Sequence, residues 1–205
     1  MMKKMQLLIL VVSAMFAPYS LADNSAAWTK SYTLETEKKY AEALSALDAI
    51  PANDPDAQLT LLRRGWLNYL LEQYNDSVKW YKQAMQQSPK SLDAALGVTL
   101  PLLAQQRWQE SALYAKQVLE VSPYQYTAFL RLLLAEEGAR EWASMKKHAQ
   151  DLAEHYPTDA TALVYLARSH AWLGDKDAAR KAYSSVLNRV PGHYEATAYL
   201  NKKNP

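Results

Sequence analysis

The stretch LARSHAWLGDKDAARKAYSSVLNRVP, Leu166–Pro191, decides the fold. It reads as two short helices parted by Gly174-Asp175 and stopped by Pro191. Glycine tolerates the left-handed backbone that closes a helix, and an aspartate can cap the next one with its carboxylate. Within Asp175–Val190, residues Ala179, Ala182, Tyr183, Val186, Leu187 and Val190 recur at three- and four-residue steps, one apolar stripe on a helix. A single hairpin of this size cannot bury such a stripe alone, so the reading turns on whether the unit repeats.

It does. Pro55, Pro89, Pro123, Pro157 and Pro191 are each separated by 34 residues, with no insertion or deletion. Windows beginning at Asn24, Gln58, Leu92, Tyr126 and Ala160 align on that ruler. Their seventeenth residues are Tyr40, Tyr74, Trp108, Trp142 and Lys176. Their twentieth are Ala43, Ser77, Ser111, Met145 and Ala179, and their twenty-seventh are Ile50, Ala84, Val118, Leu152 and Val186. Small residues where helices cross let backbones approach, and a fixed period of this length means stacked repeats. Ser91, Asp56 and Thr158 are candidate caps after their prolines. Pro101, inside the third repeat's first helix, removes a hydrogen bond to the Gly97 carbonyl and predicts a kink.

Here the chain resembles the tetratricopeptide repeat family, a 34-residue helix-turn-helix unit. The residues carrying the resemblance are Leu163, Leu166, Ala167, Ala179, Tyr183 and Pro191. Leu61, Gly65, Ser77, Tyr81, Ala84 and Pro89 carry it in the second repeat, where Arg64 departs from the pattern. Thr99 and Leu133 replace the small residue of the first helix, and the first repeat matches only in its second helix. The resemblance implies an all-α, right-handed α-solenoid. Its repeats fall at about 24–57, 58–91, 92–125, 126–159 and 160–193, followed by a capping helix over 194–201.

The first 22 residues have another character. Lys3 and Lys4 precede an apolar run from Met5 to Ala17, then Pro18 and Ser20-Leu21-Ala22. This is the layout of a secretory signal peptide, with cleavage expected after Ala22 and the remaining chain soluble in the bacterial periplasm. Losing Lys3 and Lys4 brings the 23 basic residues to 21, against 21 acidic ones. The remaining chain then has no bulk charge that seeks nucleic acid or anionic lipid, and no stable membrane insertion is expected. With no cysteine, packing alone must hold it together.

Chemistry-bearing motifs are scarce. His148 and His155 could share a helix face, but no metalloprotease-type spacing is present, and His148, His155, His170 and His193 read as solvated surface residues. No Gly-x-Ser-x-Gly elbow or phosphate loop occurs. Glu136 and Glu137 point about 100° apart on a helix and cannot face each other across a cleft. The expectation is a protein that is not an enzyme, with no metal and no cofactor.

The resemblance implies instead a concave groove lined by the first helix of each repeat. Carried onto this chain, the lining positions are Trp28 and Tyr32, then Leu62, Trp66 and Tyr69. They continue through Leu96, Leu100 and Leu103, Leu130, Leu134 and Glu137, and Val164, Arg168 and Trp172. Arg63, Arg131 and Tyr165 border the strip. Aromatics and arginines of this kind anchor partner segments. The ninth positions hold Tyr32, Trp66, Leu100 and Leu134 rather than the asparagine of a clamp for a terminal carboxylate. The expected function is a periplasmic protein-interaction scaffold binding a peptide segment or another envelope protein, within an envelope-biogenesis or polysaccharide-export assembly. Direct glycan binding through Trp28, Trp66, Tyr69 and Trp172 is the alternative, and a homo-oligomer through the first repeat is a third reading.

Overall fold

A computed structural model describes residues 24–52 and 54–202; the signal-like segment lies outside them. The described residues form eleven α-helices and no strand. These are α1 (Ser25–Thr36), α2 (Tyr40–Ala46), α3 (Ala57–Leu70), α4 (Tyr74–Gln87), α5 (Leu92–Ala104) and α6 (Trp108–Val121), then α7 (Tyr126–Gly138), α8 (Trp142–His155), α9 (Ala160–Trp172), α10 (Lys176–Leu187) and α11 (Tyr194–Asn201). Each helix packs on the next, as antiparallel neighbours joined by short turns must. In addition α3 touches α5 and α5 touches α7, while no pair of second helices packs comparably. The first helices therefore crowd the inside of the curve, and α2, α4, α6, α8 and α10 fan out on the outside.

The core is a chain of small clusters rather than one centre, because each repeat buries its stripe only against its neighbours. The small twentieth residues act as expected: Ser77 donates to the Gly65 carbonyl (2.7 Å) and Ser111 to that of Thr99 (3.3 Å). In the fourth repeat two large residues, Met145 and Leu133, fill the same crossing and join the core with Phe129 and Leu152. Tyr81 lies between two glycines. A Cβ at Gly65 would stand 2.9 Å from its ring, and one at Gly97 would overlap it.

The turn inside each repeat follows the ruler too. Lys38, Glu72, Gln106, Arg140 and Gly174, each 34 residues apart, all have positive φ, between 57° and 82°. Only the last is glycine, the residue suited to that backbone. Between repeats, Ser91 caps α5 as expected, and Asp175 caps α10 by accepting from Ala178 N (3.1 Å). Asp56 and Thr158 do not cap. Asp56 occupies the cap position of α3 without a side-chain bond, and Asp159 rather than Thr158 caps α9. Gln125 and His193 cap α7 and α11, so the closing residue of each of the last four repeats holds the next helix.

Two further prolines among the described residues fall off the 34-residue ruler. α5 runs unbroken through Pro101, which is buried in the hydrophobic interior. Pro51 instead cuts α2 short. It stands where Met85, Leu119, Ala153 and Leu187 are helical in the other repeats, and Ile50 before it is extended (φ −87°, ψ 120°). Proline disfavours the helical conformation of its predecessor, which turns the end of α2 into a 3-10 turn.

Candidate functional site: the concave face

The inner strip divides into three parts. At its start, Trp28 and Tyr32 of α1 stack at 6.4 Å, and the Arg63 guanidinium lies 3.9 Å from the Tyr32 ring centre. Arg63 is only 6% exposed. It donates to Ser31 Oγ (3.2 Å) and to the Ser31 carbonyl (3.0 Å), and it pairs with the Glu35 carboxylate. The other Glu35 oxygen accepts from Trp66 Nε1 (2.7 Å), and Trp66 stacks on Tyr69 at 5.6 Å. Tyr32, Glu35, Tyr40, Arg63, Trp66 and Leu70 line a cleft of about 720 Å³. Its open wall is the Tyr32 ring, 48% exposed.

The middle is aliphatic. Leu100 is half-buried and Leu134 38% exposed. Leu62, Leu96 and Leu130 pack against core clusters, and Leu103 is core outright. Arg131 stands half-buried in this region, within electrostatic reach of Tyr69 and Tyr165.

At the far end, Arg168 is the centre of a polar cluster. It donates twice to Glu195 (2.8 and 2.6 Å), and Nη1 reaches both Glu137 oxygens (3.2 and 3.3 Å). The Tyr183 hydroxyl donates to the same Glu195 (2.6 Å). The bidentate bond from Arg168 holds the Glu195 carboxyl below its usual range against the opposing effect of burial. Burial pushes the Tyr183 phenol up. Trp172 lies at the edge, 66% exposed, its ring parallel to Trp142 within 7° at 5.0 Å.

Four expected groove residues are thus placed otherwise. Arg63 is a buried tie between α1 and α3, Arg168 binds α7 and α11 to α9, and Leu103 and Val164 are core. An arginine on a helix face gives no sign in the sequence of the carboxylate that folding brings to it. Glu35 and Glu195 were the missed members; they lie 28 and 27 residues from their arginines, on the neighbouring inner helix in each case.

His148 and His170 also need correction, while His155 stays exposed. Glu136 is fully buried, and both its oxygens lie on His148 Nδ1 (2.8 and 3.0 Å), with Lys116 Nζ 3.7 Å away. His148 is therefore a structural partner rather than a solvated residue. His155 lies against Tyr124 (4.2 Å), and His170 Nδ1 is buried 3.3 Å from Asp175. Glu136 and Glu137 do diverge, one to His148 and one to Arg168. Among the described residues no group of three or more His, Cys, Asp or Glu could hold a metal ion. No described helix is long and apolar enough to cross a membrane.

With this geometry in place, the tetratricopeptide repeat family model matches residues 161–193, the span of the fifth repeat. One repeat thus matches the family's model, and the whole described chain has the family's fold. Three solved solenoids superpose on it. MamA from Desulfovibrio magneticus is 16% identical over 85% of this chain and 99% of its own (TM-score 0.76). YrrB, a tetratricopeptide-repeat protein with an unusual peptide-binding site, is 14% identical over 86% and 91% (0.72). A tetratricopeptide repeat protein from Parabacteroides merdae is 14% identical over 86% and 70% (0.77). At these identities the likeness speaks for the fold. No curated protein sequence matches the chain.

Proposed function

We propose that this tetratricopeptide-repeat-like solenoid is a non-enzymatic scaffold whose concave face holds a peptide segment of an envelope protein, and that it works in the bacterial periplasm. The observation that carries the reading is the inner strip itself. Tyr32 and Leu134 stay exposed there, next to half-buried Trp66 and Leu100 and a cleft of about 720 Å³. Large side chains left uncovered on an inward surface are what a partner segment buries. Peptide binding by YrrB, a solenoid of the same fold, supports the same use. Export is supported by Lys3, Lys4, the apolar run to Ala17 and Ser20-Leu21-Ala22.

The test is a crosslinking pull-down from an envelope fraction with wild type and a Tyr32→Ala, Leu134→Ala variant of equal helicity. One protein captured by wild type and lost by the variant is the expected result. Capture by both would move binding to the outer face. A second reading, glycan binding, rests on the exposed indole of Trp172 lying flat on Trp142. Quenching of tryptophan fluorescence by oligosaccharides, abolished in Trp172→Ala, would favour it over the peptide.

A further inference from the structure

The concave face carries three arginines, and the structure treats them unequally. Arg63 is neutralised by Glu35, and Arg168 by Glu137 and Glu195. Arg131 has no carboxylate, carbonyl or hydroxyl partner among the described residues, although it is half-buried. Elsewhere even half-buried Arg180 reaches the Leu200 carbonyl, and Arg189 that of Pro157. Its nitrogens are not sealed off from solvent, so its five donors stay free to engage an acceptor that a partner brings into the groove. Burial lowers its pKa, with nearby Tyr69 and Tyr165 opposing the shift.

Resting on the peptide-groove reading above, we propose that Arg131 is the anion-reading point of the groove. Its ligand is one acidic side chain, within an extended peptide segment, flanked by apolar residues. The flanking preference follows from the walls: Leu100 and Leu134 are branched aliphatic surfaces, which fit aliphatic side chains better than sugar rings. The acid belongs to a side chain rather than a chain terminus, because Leu100 and Leu134 occupy the ninth positions where an asparagine would clamp a terminal carboxylate. Orientation follows from charge. Glu137 and Glu195 share the single cation Arg168, so the end of the groove at the fifth repeat has one negative charge in excess. The segment therefore places its acidic residue at the fourth repeat and no acidic residue beyond it toward the fifth. Arg131 gives the groove a register, which the aliphatic walls alone would not specify.

The test is selection of displayed random dodecapeptides by the purified full chain, beside Arg131→Gln and, as control, Arg140→Gln in the exposed α7–α8 turn. Wild type and Arg140→Gln are expected to enrich Asp or Glu at one position between apolar ones. Arg131→Gln should keep the apolar preference and lose the acidic one. Replacing that Glu by Gln in a selected peptide should weaken wild-type binding about tenfold or more, as loss of a charge-assisted hydrogen bond does. Enrichment without an acidic position, or the same position in Arg131→Gln, overturns this proposal while leaving the peptide groove standing. No enrichment at all overturns the peptide groove itself. Arg131-dependent binding of uronic-acid oligosaccharides without any peptide selected would replace the acidic peptide with an acidic glycan.

Discussion

Gly97 shows what one missing carbon can decide. It gives the Tyr81 ring the place a Cβ would take, and Gly65 flanks the other side. Gly97→Ala forces the ring or α5 to move, and overpacking of this kind costs about 1–3 kcal/mol. A thermal melt should show that loss, and adding Tyr81→Leu should recover part of it as a non-additive pair. The periodicity exposes Tyr81 and Gly65 as repeat residues, but it gives no signal for Gly97. That glycine sits where other repeats carry Arg63, Arg131 and Tyr165, and its role exists only in the contact across the repeat boundary. The groove arginines were equally opaque: three similar residues on similar faces, of which folding consumes two.

Helices α7, α9 and α11 are linked through one guanidinium, since Arg168 reaches Glu137 behind it and Glu195 ahead. Because Glu195 has its pKa depressed chiefly by the bond from Arg168, its contribution is present above the unfolded carboxyl value of about 4.3 and is lost as pH falls through the folded one. Both side chains are about one-third exposed, so solvent screening limits the link to about 1 kcal/mol. Glu195→Gln should therefore lower the melting temperature at pH 7, and the gap to wild type should close below about pH 4. An unchanged gap at low pH would mean the loss is one of packing. At this scale much was legible. Apolar steps place the helices, and Gly174-Asp175 and Ser91 mark true ends. Pro51, which lies off the 34-residue ruler, gives no such mark, yet it sets where α2 stops. Gln125 and His193 escaped because neither is a common capping residue.

Across the whole molecule the repeats share length, turn conformation and capping position, which makes them look alike. The joint between Tyr81 and Gly97 says otherwise. Removing residues 126–159 would bring Ala115 opposite Tyr165, a small residue facing a large one, with Gln125 still in place to cap α9. Removing 92–125 would bring Arg131 against Tyr81, into space that only glycine leaves open. Both shortened chains keep the 34-residue spacing and the same number of repeats, so stability differences between them report on the joint. Circular dichroism melts should find the first folded and cooperative, and the second clearly less stable; equal stability would show the joint to be indifferent. An even ruler thus conceals keyed pieces: the units can be counted in any order, but they can be spliced together in only some of them.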